Sequence, residues 1–253
     1  MCMSQASFRF YAQLNDFLPR GWRGQRFTRP VAGTPSIKDA IEALGVPHPE
    51  IELLLVNGAS VDFAHRLQGG DSVSVYPAFR SFDLAGIYRV GADPPEPIRF
   101  VADGHVRKLA SFLRLAGFDT LVLDDDSAIS TAAARDGRVV LTRDLDLLKR
   151  NAIRFGRYVR NIHPEPQLAE VFEHFSLAGR VKPFTRCLRC NELVSSIANA
   201  DLGNRVPPRS RACFDDFTVC PGCNRVYWRG SHHERLRCLL ERAIRLGSAE
   251  RVG

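Results

Sequence analysis

The 253-residue chain is 45% hydrophobic and 25% charged, ordinary values for a globular protein, and its length favours two or three small domains over one. It has no apolar run near the ~20 residues of a spanning helix, and its start, MCMSQASFRFYAQLND, lacks the basic opening and apolar core of a secretory signal. A cytoplasmic protein with no membrane partner is therefore expected.

The net charge of +7 is unevenly placed. Residues 1–179 hold 21 Lys+Arg against 21 Asp+Glu, whereas residues 180–253 hold 14 against 7. Such a local excess is the footprint of a segment that meets phosphates. Codon bias is the competing source, since 31 of the 35 basic residues are Arg, but it does not explain the asymmetry along the chain.

In chain order, Phe8–Ala12 alternates like a strand, with Gln25–Thr28 as its hairpin partner. Ser36 caps a short helix over Ile37–Leu44 that Gly45 closes. IELLLVNGASVDF is a strand, an Asn57-Gly58 turn and a second strand, and Gly69-Gly70 precedes a last alternating strand ending at Pro77. The order ββαβββ predicts a β-grasp (ubiquitin-like) domain over residues 1–80. V-N-G-A-S-V and G-G-D-S-V-S-V-Y-P resemble the small sulfur carriers of thiamine and molybdopterin synthesis, which act through a C-terminal Gly-Gly. This chain runs on through Pro77-Ala78-Phe79-Arg80. The resemblance thus implies the fold without the carrier chemistry, and suggests an interaction module with a protein partner.

Residues 81–98, with GADPPEP, read as a linker. Strands and helices then alternate: Phe100–Ala102, His105–Ala116, Thr120–Leu123, Ser127–Arg135, Val139–Thr142 and Leu145–Arg150. A further strand is expected at Tyr158–Asn161 and a helix at Pro166–Phe175. This spacing predicts an α/β domain over residues 99–180 with a parallel sheet. Residues 181–253 hold two C-x-x-C pairs and close on a basic helix, Ser231–Leu246.

Asp103, the triplet Asp124-Asp125-Asp126 and Asp144 all follow strands and precede helices. In a parallel sheet those strand ends share one edge, where open α/β folds place their sites. Hard cations such as Mg2+ or Mn2+ take a few such carboxylates and activate water for phosphoryl transfer. Each aspartate taken singly is equally a helix N-cap. As a set they pack like charges together, which a cation relieves. Asp125 and Asp126 compete for the middle position, and Asp126 is favoured. Asp146 lies at the rim. Arg107 and Lys108 on the first helix and Arg143 beside Asp144 are candidates to hold a phosphodiester backbone, Arg143 foremost because the strand end carries it to the pocket. Arg229 is the corresponding candidate in the C-terminal segment.

Cys187-x-x-Cys190 and Cys220-x-x-Cys223 suit a tetrahedral structural Zn2+, with a redox dithiol or disulfides as the alternatives. Four thiolates leave no open position for catalysis. Cys2, Cys213 and Cys238 are spare, and His232 and His233 open the last helix as first-turn residues.

The segments F-V-A-D (100–103), R-K-L-A-S-F-L-R-L-A-G-F-D-T (107–120) and G-R-V-V-L-T-R-D (137–144) carry a further resemblance. C-L-R-C-N (187–191), R-V-P-P-R (205–209) and C-P-G-C-N-R-V-Y-W-R-G-S-H (220–232) extend it. Over about residues 99–238 the chain resembles the Mut-seven C-terminal ribonuclease family, PIN-like nuclease domains fused to a zinc ribbon and often preceded by a β-grasp domain. The resemblance implies a PIN-like parallel-sheet sandwich and a metal-dependent ribonuclease site at Asp103, Asp144 and Asp126 or Asp125, with Asp146 as the further acidic position. Its substrate would be RNA, with tRNA and rRNA as candidates. The rival expectation is a non-catalytic RNA- or ribosome-binding protein with a degenerate PIN-like domain.

Overall fold

The computed structural model describes residues 4–78 and 88–249; Cys2, residues 79–87 (which include the start of the expected linker) and residues 250–253 lie outside the described residues. The first strands are β1 (Gln5–Phe10) and β2 (Phe27–Pro30), followed by helix α1 (Ile37–Ala43) and strands β3 (Leu53–Val56), β4 (Ala59–Ser60) and β5 (Ser72–Tyr76). They form a mixed sheet of order β2-β1-β5-β3-β4, in which only β1 and β5 are parallel. The alternation in the sequence turns Phe8, Phe10, Val73 and Val75 to one face, where they bury against Ile37 and Ile41 of α1. Ser36 caps α1 by accepting from Asp39 N at 3.1 Å. Asn57 and Gly58 both have positive φ (53° and 87°), as a type I′ hairpin turn requires.

The next elements are β6 (Phe100–Asp103), α2 (Arg107–Leu115), β7 (Thr120–Leu123), α3 (Asp126–Asp136), β8 (Val139–Thr142), α4 (Leu145–Leu148), β9 (Gly156–Tyr158) and α5 (Pro164–His174). β6 pairs parallel with β7, in register Asp103↔Leu123, and β8 pairs parallel with β9, in register Thr142↔Tyr158. All four residues of β6 and of β8 are buried, which is why these strands read as apolar runs up to their last residues, Asp103 and Thr142. The last elements are β10 (Ser195–Ser196), α6 (Pro208–Cys213), β11 (Phe217–Val219), β12 (Val226–Trp228) and α7 (Ser231–Ala249), the three strands forming an antiparallel sheet in the order written. Among the described residues no helix is long and apolar enough to cross a membrane.

By packing, the chain divides into two compact units: residues 1–95 with 130–158, and residues 96–129 with 159–253. In the first, Glu50 is buried and accepts from Arg157 Nη1 and Tyr158 N, both at 2.7 Å, so the segment carrying β9 is bonded to the N-terminal domain. Buried charge on this scale persists only when paired and hydrogen-bonded. His48 adds Glu42 (2.7 Å) on one ring nitrogen and the Ile153 carbonyl (2.8 Å) on the other. Part of the expected linker is strapped down as well, Val90 N and Gly91 N donating to the Glu52 carbonyl.

In the second unit, α2 buries Leu109, Ala110, Phe112, Leu113 and Leu115, and α5 and α7 pack together. A Cβ on Gly247 of α7 would come within 3.1 Å of the Ala169 carbonyl oxygen. Among the described residues, the three-stranded sheet buries a small core of Leu202, Val206, Phe217 and Val226, with Ile197, Phe214, Val219 and Trp228 packed against it. So small a cluster needs help from a metal or a neighbour to hold its shape.

Candidate functional site

Two constellations carry chemistry. The first is the cysteine cage. Cys187, Cys190, Cys220 and Cys223 bring their sulfurs within 4.8 Å of one another, the set of metal-ligand side chains so gathered among the described residues. Cys187 Sγ lies 3.6 Å from Cys223 Sγ, and Cys190 Sγ lies 3.2 Å from Cys220 Sγ. A tetrahedral zinc at ~2.3 Å from each sulfur has S–S edges of about 3.8 Å, so the four residues fit that metal with small adjustments.

The two knuckles are built alike. Cys187 N donates to the Glu192 carbonyl and Cys220 N to that of Arg225, while Asn191 N and Asn224 N return to the Cys187 and Cys220 carbonyls. Both asparagines sit in the left-handed region (φ 74° and 56°), a conformation Asn tolerates better than most residues.

The electrostatics of the cage ask for a cation. Burial alone would raise the Cys187 thiol. The Tyr227 hydroxyl (3.1 Å) and the backbone N–H groups of Cys190 and Arg189 outweigh it and bring the thiol down to about 6. Cys190 is pushed up to about 12 by burial of its sulfur and by the thiols around it. Cys223 is raised too: the Arg225 N–H lowers it, but burial and the thiols of Cys187 and Cys220 prevail. Of these three, the metal-free cage favours a thiolate at Cys187, and a dication would offset the repulsion that keeps the other two protonated.

Three residues that the sequence reading did not single out bind the cage to its unit. Arg114, only 6% exposed, donates to the carbonyls of Thr120 (2.9 Å), Leu188 (3.1 Å) and Arg189 (2.8 Å). Asn191 accepts from Thr120 N at 2.9 Å and donates to Asp119 at 2.8 Å. Tyr227 receives Leu188 N at 3.2 Å besides facing Cys187. Signals existed: an arginine on the apolar stripe of α2, and C-x-x-C-N written twice.

The second constellation is the acidic strand ends. Asp103 ends β6, is 5% exposed, and accepts from His105 N at 2.6 Å. Parallel pairing puts it level with Leu123, so the triplet emerges at the same edge one residue later. A Cβ on Gly104 would run into the Asp124 carboxylate, an exposed side-chain end that would have to swing aside. Asp124 takes a two-oxygen ion pair from Arg107 (2.7 and 2.9 Å), both side chains exposed. Asp125 caps α3 by accepting from Ala128 N at 2.8 Å, and Asp126 is the first residue of that helix. In the first unit Asp144 caps α4, taking Asp146 N (2.8 Å) and Leu147 N (3.2 Å) on the same oxygen. Asp146 is exposed beside Lys149, 3.4 Å away.

Of the expected phosphate-binding cations, Arg107 is occupied by Asp124. Lys108 is exposed and lies over the Phe112 ring, and Arg143 is half-buried at the end of β8. Arg229 is exposed in the second unit, 3.8 Å from Asp216. His233 stacks on Phe184 at a centroid distance of 3.9 Å, and His232 is exposed.

Comparison with known proteins follows the same division. Residues 98–240 match the family model described as Mut7-C RNAse domain, and residues 3–83 match the one described as Mut7-C ubiquitin. No curated protein matches the chain. Among solved structures it is similar to the small archaeal modifier protein 1 of H. volcanii, at 19% identity over 30% of this chain and 99% of that one, with a TM-score of 0.25. A structural likeness that low carries no argument, but the family model spans more than half of the chain. The chain belongs to the Mut7-C RNAse domain family, with a Mut7-C ubiquitin-like domain in front.

Proposed function

We propose that the protein is a divalent-metal-dependent ribonuclease with a PIN-like catalytic domain, hydrolysing RNA phosphodiester bonds at Asp103, Asp126 and Asp144. Asp125 and Asp146 are the flanking carboxylates. The observation that carries this reading is the edge formed by β6 and β7, where buried Asp103 stands level with the strand end that releases Asp124–Asp126, in a chain whose matching family model is a ribonuclease domain. A bound Mg2+ or Mn2+ would supply the charge that acidifies water and neutralises the attacked phosphate. The water oxygen bonds to phosphorus, the bond to the leaving ribose oxygen breaks, and that oxygen takes up a proton. The chain's own part is to fix the carboxylates. Capping assists this, since a carboxylate that accepts backbone N–H groups through one oxygen is held in orientation while its other oxygen can face a cation.

The domain plan consistent with this function is a β-grasp module over residues 1–80, a linker over 81–98, a nuclease domain over 99–180 and a zinc ribbon with basic helix over 181–253. The ribbon's four cysteines hold Zn2+ for structure, and the ribbon assists RNA binding. The test is cleavage of mixed RNA substrates in Mn2+ by wild type, Asp103→Asn, Asp126→Asn and Asp144→Asn. Each variant should lose at least about 100-fold, the upper end of what a residue behind a metal ligand can cost. Equal activity in all four proteins would sink the proposal.

One observation favours a second reading, RNA or ribosome binding without cleavage. Asp103, Asp125 and Asp144 each serve as helix caps, which would keep aspartate useful there after catalysis was lost. RNA binding with no cleavage by wild type in either metal would establish it.

A further inference from the structure

Beside the cysteine cage, and sharing Tyr227 with it, a groove of about 1420 Å3 opens in the second unit between the ribbon sheet and α7. It exceeds the ~300–1,000 Å3 of ordinary small-molecule sites, so it suits an extended ligand. Its walls hold the half-buried aromatic residues Phe184, Phe214, Tyr227 and Trp228. Phe184 has a left-handed backbone (φ 61°), a conformation that crowds a bulky side chain against its own carbonyl. Its ring is clamped under His233 with the planes 22° apart. Strain of that kind, held by its surroundings and turned toward a groove, points to a function.

The cations of the wall sort themselves. Arg186 is committed to the Gly117 and Asn191 carbonyls, and Arg237 to Glu234 and Glu241. Arg225 and Arg229 remain on the exposed rim, where the contact of Arg229 with Asp216, at 3.8 Å between two exposed groups, is weak.

We propose that this groove binds single-stranded RNA, with bases stacked on the aromatic residues and backbone phosphates on Arg225 and Arg229. The proposal rests on the ribonuclease reading for the choice of RNA. Stacking platforms along a cationic track are how single strands are held without base-specific hydrogen bonds. A duplex keeps its base faces inside and cannot use such platforms. The 14-to-7 excess of basic over acidic residues in 180–253 favours a polyanion over a peptide.

The test uses the full chain carrying Asp103→Asn, so that substrate survives, and a labelled single strand of about 12 nucleotides, within the usual span of such sites. Anisotropy is read over a salt series. Arg225→Ala with Arg229→Ala should weaken binding about tenfold or more and reduce the salt slope by roughly 1.4, two phosphates at ~0.7 each. Phe184→Ala should abolish quenching of a 2-aminopurine base in the strand while the circular dichroism spectrum stays that of the parent. Asp216→Asn, which frees Arg229, should tighten binding. Unchanged affinity and slope in the arginine double variant would overturn the groove and leave the ribonuclease reading standing, because cleavage is scored separately. So would equal or tighter binding of the matching duplex, or displacement of the strand by a peptide but not by unlabelled RNA. Binding that follows these variants in a chain whose parent cuts nothing would keep the groove and remove the nuclease.

Discussion

The cysteine cage and the acidic strand ends solve the same electrostatic problem in opposite ways. The cage draws four ligands from two copies of one local device, a C-x-x-C-N knuckle whose asparagine takes a left-handed turn, so its geometry is written within a few residues of each metal ligand. The aspartates owe their positions to topology. Asp103 and Asp124–Asp126 share an edge only because β6 and β7 run parallel in register. The cage therefore leaves little for its sulfurs to do besides hold a cation, whereas Asp103, Asp125 and Asp144 have structural employment as caps whether or not a cation comes. Loss of metal should then damage structure at the cage and activity at the acidic edge.

That contrast breaks hardest at the cage itself. Cys220→Ser should abolish zinc binding, read as metal content falling from one ion per chain to none, and melt the three-stranded sheet. Structural zinc contributes on the order of 10 kcal/mol to the smallest such modules, and the core here is small among the described residues. A variant that melts at the wild-type temperature after dialysis against chelator would show that Arg114 and Asn191 hold the ribbon unaided.

Arg114→Met comes next. The substitution fills the same volume but strips donors from the carbonyls of Thr120, Leu188 and Arg189, at a cost of about 3 kcal/mol in a denaturant titration. Because Thr120 begins β7, the loss should also lower cleavage at the acidic edge. Unaltered cleavage in a destabilised variant would show that the two constellations are independent.

Zinc affinity should also depend steeply on pH. Cys190, at about 12, and Cys223, raised, enter the cage as thiols and must each release a proton, whereas Cys187, at about 6, is already ionised at neutral pH. Affinity should fall at least about 100-fold per unit as pH drops from 8 to 7 and more steeply below about 6, where Cys187 protonates as well. In the metal-free chain the depressed Cys187 group contributes stability that is present above its unfolded value, near 9, and lost as pH falls through about 6. Calorimetric zinc titration in buffers of different ionisation enthalpy counts the protons, and fewer than two released at pH 7.5 would contradict the account.

Legibility in the sequence follows the same contrast. The Ser36 cap, the Asn57-Gly58 turn, Thr120–Leu123, Val139–Thr142 and the four cysteines all stand where local pattern placed them, because each depends on neighbours within a turn or two. β1 was expected from Phe8 but begins at Gln5, since its first residues are held by pairing with Arg29 and Pro30. The strand expected at Tyr158–Asn161 lies instead at Gly156–Tyr158, set by its register with Val140–Thr142. Arg114 was hidden because its partners lie as far as 75 residues away in the chain. The bonding of residues 130–158 to the N-terminal domain through Glu50 was equally non-local, with partners 107 and 108 residues apart.

The smallest effect bears on the cation that sequence order placed at the acidic edge. Arg107 was expected to meet phosphate, yet its guanidinium holds both oxygens of Asp124. The pair is exposed on both sides, so it should contribute less than about 1 kcal/mol to stability, and Asp124→Asn should melt almost as wild type does. The same substitution releases Arg107 and removes one negative charge beside the place where a phosphate would arrive. RNA affinity should therefore rise by a few-fold at low salt and converge with wild type as salt screens both terms. A fall in affinity or cleavage would mean that Asp124 belongs to the metal-binding set and that Arg107 is there to orient it. That outcome would move the middle carboxylate from Asp126 to the first residue of the triplet.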